Sequence, residues 1–351
     1  MELKPLNLPG QKERPFVLAG PCSVETEEQV MTTARSLADK GIKIFRGGVW
    51  KPRTKPGGFE GHGEKALVWM KQVKEETGMM IATEVATPEH VELALKYGMD
   101  ILWVGARTTA NSFAVEALAA SLKGVDIPIL VKNPVTPDLD LWINALECLN
   151  NVGVKRLGAI HRGFSCYEKS VYRNQPMWHV PIELHRCLPD LPICCDPSHI
   201  GGRRDLIATL CQQAMDFGMD GLIIESHCNP DEAWSDAKQQ IIPEVLSEIL
   251  SNITIRDKVV STENIMALRK QIDKIDNHLL ELLAKRMEVC REIGQYKKDH
   301  SMAIVQTSRY NEILEKRGEQ GAQMEVSAEC IQKIFEQIHQ ESVRQQFEIM
   351  K

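Results

Sequence analysis

Two kinds of hydrophobic pattern divide the chain. Up to about residue 250, short apolar, β-rich runs alternate with longer amphipathic stretches. The runs PFVLAG (15–20), IKIFRGG (42–48), MMIATEV (79–85) and DILWVG (100–105) predict four strands. Four more are predicted at IPILVK (127–132), KRLGAI (155–160), PICCD (192–196) and GLIIES (221–226). Each is separated from the next by enough chain for a helix, so the expected fold is an α/β (β/α)8 TIM barrel over residues 1–250. A doubly wound open sheet has fewer strands and a Gly-rich phosphate turn after the first, a fingerprint absent here.

Beyond Pro243 the pattern changes: no proline follows, and only three glycines do. Residues 251–261 read as a linker, with Ser261 or Thr262 as N-cap of a helical domain over 262–351. Ile265, Leu268, Ile272, Ile275, Leu279, Leu282 and Leu283 keep a helical period that continues through Met287 and Ile293 to about Asp299. A shorter helix is predicted over 308–317, ending near Gly318 and Gly321, and a last one over 326–349. Three helices with one very long member bury little core alone, so this domain is expected to dimerise, as a homodimer or larger homo-oligomer.

Composition narrows the class. At 43% apolar and 26% charged residues, the 351-residue chain is an ordinary soluble protein. No apolar run approaches the roughly 20 residues that cross a bilayer, and MELKPLNLPGQKERP has no apolar leader region, so no membrane association is expected. The ten cysteines lack zinc-finger spacing and are too sparse for a disulfide framework; a cytoplasmic location is expected, with Cys194 and Cys195 as small core residues. A net charge of −6 argues against nucleic-acid binding but allows a locally basic pocket for a small anion.

Catalytic groups of a barrel sit at the C-terminal ends of its strands. Those positions carry Cys22; Arg46, Lys51 and Arg53; Glu84; Arg107; Lys132; His161 and Arg162; His199; then Glu225, His227 and Asp236. LPICCDPSHIGGRRDL (191–206) shows the habit at its densest, a buried strand breaking into Asp, His, Arg and paired glycines. Cys22, His199, Glu225 and Asp236 offer S, N, O and O donors, a mixed set that accepts several divalent metal ions, Mn, Fe, Co or Zn. Arg53, Arg107, Lys132 and Arg162 form a cationic group suited to phosphate and carboxylate oxygens. A metal beside such a clamp points to a phosphorylated carboxylate substrate and a carbonyl to be polarised.

AGPCSVE, RGGVWKPRT, VGAR, LVK, HRG, DPSHIGGRRDL and GLIIESHCNPDEAWSD occur in this order from about residue 14 to 245. In these motifs the chain resembles the type I beta 3-deoxy-D-arabino-heptulosonate-7-phosphate (DAHP) synthases. The resemblance implies condensation of phosphoenolpyruvate with erythrose 4-phosphate, the first step of the shikimate pathway. It assigns the metal to Cys22, His199, Glu225 and Asp236, and phosphoenolpyruvate to Arg53, Arg107, Lys132 and Arg162, with Lys132 catalytic. Lys51, Pro52, Arg53 and Thr54 then line the erythrose 4-phosphate site. The metal would orient and polarise the aldehyde while C3 of the enolpyruvate attacks it; water adds at C2 and phosphate leaves. The chain departs from the pattern at Lys55, where a serine is common. About 14 residues precede the barrel where many relatives carry a small ferredoxin-like regulatory domain, so that mode of control is expected to be missing. The sister family, which makes an octulosonate phosphate from arabinose 5-phosphate, lacks the KPRT form.

The helical tail carries its own cations. Arg286 and Lys297 are eleven apart, within about 20° of three full turns, and so share one helix face. Arg269 lies about 100° away round that helix, where an antiparallel partner helix could bring it to the same pocket. IMALRKQIDKIDNHLLELLAKRMEVCREIGQYKK, with SRY and FEQIHQESVRQQ, resembles an all-helical chorismate mutase of the intertwined-dimer kind over 262–350. That resemblance puts Arg269 (from the partner), Arg286, Lys297, Arg309, Ser342 and Gln346 around chorismate. Arg286 and Arg309 would clamp its carboxylates while Lys297 and Gln346 donate to the ether oxygen during rearrangement to prephenate. At Gln306 and Tyr310 the better-known members carry acidic side chains near the chorismate hydroxyl. The chain is therefore expected to be bifunctional, with prephenate or chorismate on the mutase domain also restraining the barrel. The alternative is a synthase with a largely non-catalytic sensing domain.

Overall fold

The computed structural model describes residues 1–51, 57–167, 170–256 and 263–351. The chain forms two compact units, Met1–Lys258 and Val259–Lys351. In the first, β1 (Phe16–Gly20), β2 (Ile44–Arg46), β3 (Met80–Val85), β4 (Ile101–Val104), β5 (Ile129–Lys132), β6 (Leu157–His161), β7 (Ile193–Cys195) and β8 (Gly221–Glu225) close into one barrel in sequence order. Every pairing is parallel, and β1 meets β8 from Phe16↔Gly221 to Gly20↔Glu225. The predicted strands are all present, mostly a residue or two shorter, and β6 extends to His161.

Alternation along the strands sorts side chains into two cores. Leu18, Ile44, Ile101, Leu130, Ile160 and Ile223 fill the barrel interior, while their neighbours pack outward against helices. Cys194 points inward and Cys195 outward, both fully buried, so the pair is core filler as expected. The N-terminal segment plugs the floor. Leu6 and Leu8 join the inner cluster, Lys4 N donates to Lys155 O at 2.9 Å, and Arg156 Nη2 donates to Leu6 O. Gly158 and Gly221 make room there: a Cβ would lie 3.1 Å from Leu6 Cδ1 in one case and 2.5 Å from the Phe16 ring in the other. Thr26, Thr87, Asn111 and Asp138 each accept from a backbone N–H three residues on and so start four of the outer helices. After the last outer helix, Pro243–Asn252, the chain stays on the barrel through Thr254 N to Gln212 Oε1 (2.9 Å) and Arg256 to Asp216 (2.7 Å).

The second unit has three helices, Glu263–Asp299, Thr307–Gln323 and Ala328–Met350. The expected caps, Ser261 and Thr262, lie outside the described residues. One expectation is corrected. The middle helix does not stop near Gly318 but runs through both glycines to Gln323. A Cβ at Gly321 would sit 2.4 Å from Ile331 Cγ1, and one at Gly318 3.0 Å from Gln332 Nε2. These glycines let two helices approach closely; they are not stop signals. The long helix spans about 55 Å at 1.5 Å per residue. Along its N-terminal half Leu268, Ile272, Ile275, Leu279 and Leu282 are each more than half exposed. Among the described residues no helix is long and apolar enough to cross a membrane.

Candidate active sites

The strand ends open into a cavity of about 490 Å3. Lys51, Arg107, Lys132, Arg162, Arg173 and His199 line it together with the carboxylates of Glu84 and Asp236. Below them the Trp103 indole lies under Arg46 (5.0 Å) and Lys132 (5.9 Å) and donates to Glu84 Oε2 at 2.8 Å. Burial opposes ionisation of Glu84, but Lys132 and Lys51 outweigh it and hold the carboxyl below its usual range. Gly105 of the VGAR motif gives this side chain its space, since a Cβ there would be 2.3 Å from Glu84 Oε1.

Cys22 after β1, Glu225 ending β8 and Asp236 in the loop beyond it each bring a donor atom within 4.8 Å of the others. His199 adjoins them, with Nε2 3.7 Å from Glu225 Oε1. Its Nδ1 stands 2.8 Å from Asp196 Oδ2, an arrangement that turns Nε2 towards the cluster. Burial lowers the His199 pKa against the pull of Asp196, favouring the neutral, ligating imidazole. Burial and then Glu225 push the Cys22 thiol up to about 12, with Lys51, 3.0 Å from Sγ, pulling the other way. Burial works against the Glu225 carboxylate too, yet the carboxyl is held below its usual range, with Arg46 (3.0 Å) and Lys51 as its cationic neighbours. At Asp236, where φ is +48°, Arg173 is the main counterweight to burial at 2.9 Å, and the carboxyl is held well down. One sulfur and two carboxylates beside a neutral imidazole suit a divalent transition ion, which would displace the thiol proton on binding.

DPSHIGGRRDL now has a residue-by-residue reading. Asp196 caps the short helix Pro197–Gly201 by accepting from His199 N at 3.0 Å, and its other oxygen accepts from Lys132 Nζ at 3.0 Å. Ser198 Oγ accepts from Glu225 N at 2.9 Å. Gly202 (φ +67°) lies against Arg173, whose Cβ would be 2.4 Å from an added one. Arg204 ties this loop to the Asp236 loop through Gln240 O (2.7 Å) and Asp231 (2.6 Å), whereas Arg203 pairs locally with Asp205. Neither arginine lines the cavity.

Of the barrel residues singled out from sequence, Lys51, Arg107, Lys132 and Arg162 share the cavity with His199 and Asp236. Burial, reinforced by Arg173 and Arg107 and opposed by Asp196, brings Arg162 down to about 10, so it stays cationic at neutral pH. Pro52, Arg53 and Thr54 lie outside the described residues. His161 is buried against Phe164 and Trp178 rather than lining the cavity. His227 faces Glu25 behind the donor cluster. Sequence reasoning missed Arg173, twelve residues beyond a strand end, because only the folded loop carries it to Asp236. It missed Asp196 as a hub because a carboxylate after a strand resembles a helix cap, which it also is.

In the helical unit a set of polar side chains meets where the long helix packs on the last one. Arg286 Nη1 donates to Ser342 Oγ at 2.7 Å, and Lys297 Nζ to Gln346 Oε1 at 3.1 Å and Ile304 O at 2.5 Å. Gly294 admits Gln346, whose Cγ would be 3.1 Å from a Cβ there. Arg286 and Lys297 thus share one face. Arg309 is exposed and paired with Glu312 on its own helix, and Arg269 lies on the exposed half of the long helix. Tyr310 stacks on His339 at 4.2 Å, and Gln306 is exposed.

A closed parallel barrel with a cation-rich cavity and a mixed donor cluster at its strand ends defines a (β/α)8 enzyme for anionic substrates, here in one chain with an all-helical unit whose Arg286 and Lys297 contact Ser342 and Gln346. The chain belongs to the DAHP synthetase I family, whose pattern matches residues 5–261; that of chorismate mutase type II matches 268–347. It is an enzyme that combines a DAHP synthase and a chorismate mutase. A phospho-2-dehydro-3-deoxyheptonate aldolase of Thermotoga maritima is 35% identical over 240 residues, 68% of each chain. A crystal structure of the Thermotoga maritima enzyme aligns with a TM-score of 0.61 at 33% identity, covering 68% of this chain and 67% of that one. A 2-dehydro-3-deoxyphosphooctonate aldolase of Syntrophotalea carbinolica is 26% identical over 262 residues, 70% of this chain and 91% of the relative.

Proposed function

We propose that the barrel condenses phosphoenolpyruvate with erythrose 4-phosphate to DAHP and phosphate, using a divalent metal. The observation that carries this is a cavity lined by Arg107, Lys132 and Arg162 that also takes in His199 and Asp236, the members through which the donor cluster with Cys22 and Glu225 reaches it. The three cations, with Arg53, would hold the phosphate and carboxylate of the enolpyruvate, while Lys51 to Thr54 take the aldehyde's phosphate. Mn, Fe, Co or Zn, held by the cluster and His199, would supply Lewis acidity to the aldehyde carbonyl. Lys132, fixed by Asp196, orients the enolpyruvate so that C3 faces that carbonyl. Glu84, ionised in the same cavity, is placed to take a proton from the water that adds at C2. The higher identity to a heptonate than to an octonate aldolase, with KPRT at 51–54, supports the four-carbon aldehyde. Enolpyruvate consumption should require erythrose 4-phosphate, stop with a strong chelator and return with Mn. Full turnover in the chelator, or a preference for arabinose 5-phosphate, would contradict this reading.

The helical unit, in the same reading, rearranges chorismate to prephenate. Lys297 and Gln346 already meet as the ether-oxygen donors require, and Arg286 stands about three turns back on the same face, beside Ser342. Because the apolar N-terminal half of the long helix is exposed, the domain works as an antiparallel dimer, with the partner's Arg269 completing each pocket. A sensing role is favoured by Gln306 and Tyr310, which replace the acidic side chains that the better-known members carry near the substrate hydroxyl. Both roles fit one domain: an active mutase whose ligand, prephenate or chorismate, also restrains the barrel. The activities then divide between residues 1–250 and 262–351, with 251–261 as linker. A cytoplasmic site of action is supported by ten free cysteines, of which Cys166, Cys187 and Cys330 are exposed thiols.

A further inference from the structure

Behind the donor cluster lies a buried polar network that the reaction chemistry does not use. Ser23 is the neighbour of Cys22 and Ser235 the neighbour of Asp236, and the two hydroxyls are 2.5 Å apart. Ser23 Oγ also donates to Glu25 Oε1 at 2.8 Å, and the same oxygen accepts from Trp234 N at 2.9 Å. The other carboxylate oxygen stands 3.5 Å from Nε2 of His227, two residues beyond Glu225. The backbone oxygen of Glu25 meets His62 Nε2 at 2.8 Å. Glu25, Ser23, Ser235 and His227 are all buried. One carboxylate therefore hydrogen-bonds to the chain beside Cys22 and beside Asp236 and lies against His227, two residues from Glu225; the three donor residues come from two different βα loops and a strand end.

We propose that Glu25 is a positioning residue for the metal centre: it sets the spacing of Cys22, Glu225 and Asp236 through Ser23, Trp234–Ser235 and His227. Arg173 and Arg204 hold the Asp236 loop from one side, and Glu25, through Ser23 and Trp234, ties it to the loop that carries Cys22. Outer partners of this kind decide how well a donor set is pre-arranged. The inference rests on the metal reading of the cluster, and the test separates the two.

The full-length chain, stripped of metal, is titrated with Co(II) while thiolate-to-cobalt charge-transfer absorption is followed. Wild type should give a saturable band. Glu25→Ala should weaken Co(II) affinity about 10- to 100-fold and diminish the band. Glu25→Gln keeps an oxygen for Ser23 and Trp234 N–H and should regain most of the affinity. Should Glu25→Ala not fold by circular dichroism, Ser235→Ala decides, with an expected loss of about fivefold for one hydrogen bond. A folded Glu25→Ala chain, or in its place Ser235→Ala, with wild-type affinity and band would overturn the proposal. A wild-type chain that gives no thiolate band would overturn the metal reading itself and the proposal with it.

Discussion

Asp196→Asn removes one charge and no volume, yet it should disable the barrel site. Asp196 and Lys132 are 1% and 4% exposed, so their 3.0 Å pair is shut away from solvent. Asparagine keeps a single acceptor oxygen. If that oxygen stays on His199 N, the new NH2 faces the Lys132 ammonium, donor against donor, and faces His199 Nδ1. There it would stabilise the tautomer protonated on Nε2, the nitrogen turned towards the donor cluster. If the amide flips, its NH2 confronts the His199 N–H instead. Breaking a buried pair on one side costs about 3–5 kcal/mol, so the barrel should melt roughly 6–10 °C lower. Metal affinity should fall about 10- to 100-fold, and synthase kcat/KM at least as far. Calorimetry, metal titration and enolpyruvate consumption measure the three effects, and chorismate turnover should be unchanged. An Asp196→Asn chain with wild-type melting and metal affinity would refute the reasoning.

Three further outcomes are expected from other parts of the molecule. Arg107→Ala should lower kcat/KM for phosphoenolpyruvate about 10- to 100-fold, the value of a charge-assisted contact, without changing the melting temperature; an unaltered kinetic profile would place this arginine outside the site. Burial depresses His161 to about 3, so between pH 6.5 and 3 the unfolded chain binds a proton that the folded chain refuses, and stability falls as pH falls through that window. The loss from this group amounts to about 2 kcal/mol at pH 5, and urea titrations at pH 7 and 5 should show a fall in stability larger by that amount in wild type than in His161→Phe. Arg269→Ala and Arg286→Ala chains, each nearly inactive as mutases, should recover up to roughly a quarter of wild-type activity when refolded together, since half of randomly paired dimers have one intact pocket. No recovery, despite heterodimers confirmed by mass, would mean that each pocket is built within one chain.

The barrel was legible because eight apolar runs, each spaced by room for a helix, leave little alternative, and all eight strands lie in or within a residue of those runs. The donor and cation positions were legible for a related reason: strand ends converge, so the residues just past each strand approximate the cavity wall. What failed was anything decided by packing across sequence. Gly318 and Gly321 look like a helix end, and only their contacts with Ile331 and Gln332 reveal a close helix crossing. His161 looks like a strand-end ligand, but the rings of Phe164 and Trp178 enclose it. Arg173 sits in a loop with no local signal, and Glu25, though it ends the AGPCSVE motif, meets Trp234 only through the fold, as Arg173 meets Asp236.

That one chain runs two unrelated chemistries in two separate sites is tested most directly by measuring both rates on one preparation each of wild type, Cys22→Ala and Arg286→Ala. Wild type should consume phosphoenolpyruvate with erythrose 4-phosphate and should also convert chorismate. Cys22→Ala should lose the first activity and retain the second; Arg286→Ala should do the reverse. A wild-type chain inert towards chorismate, or a single substitution that silences both reactions in a folded protein, would contradict the account.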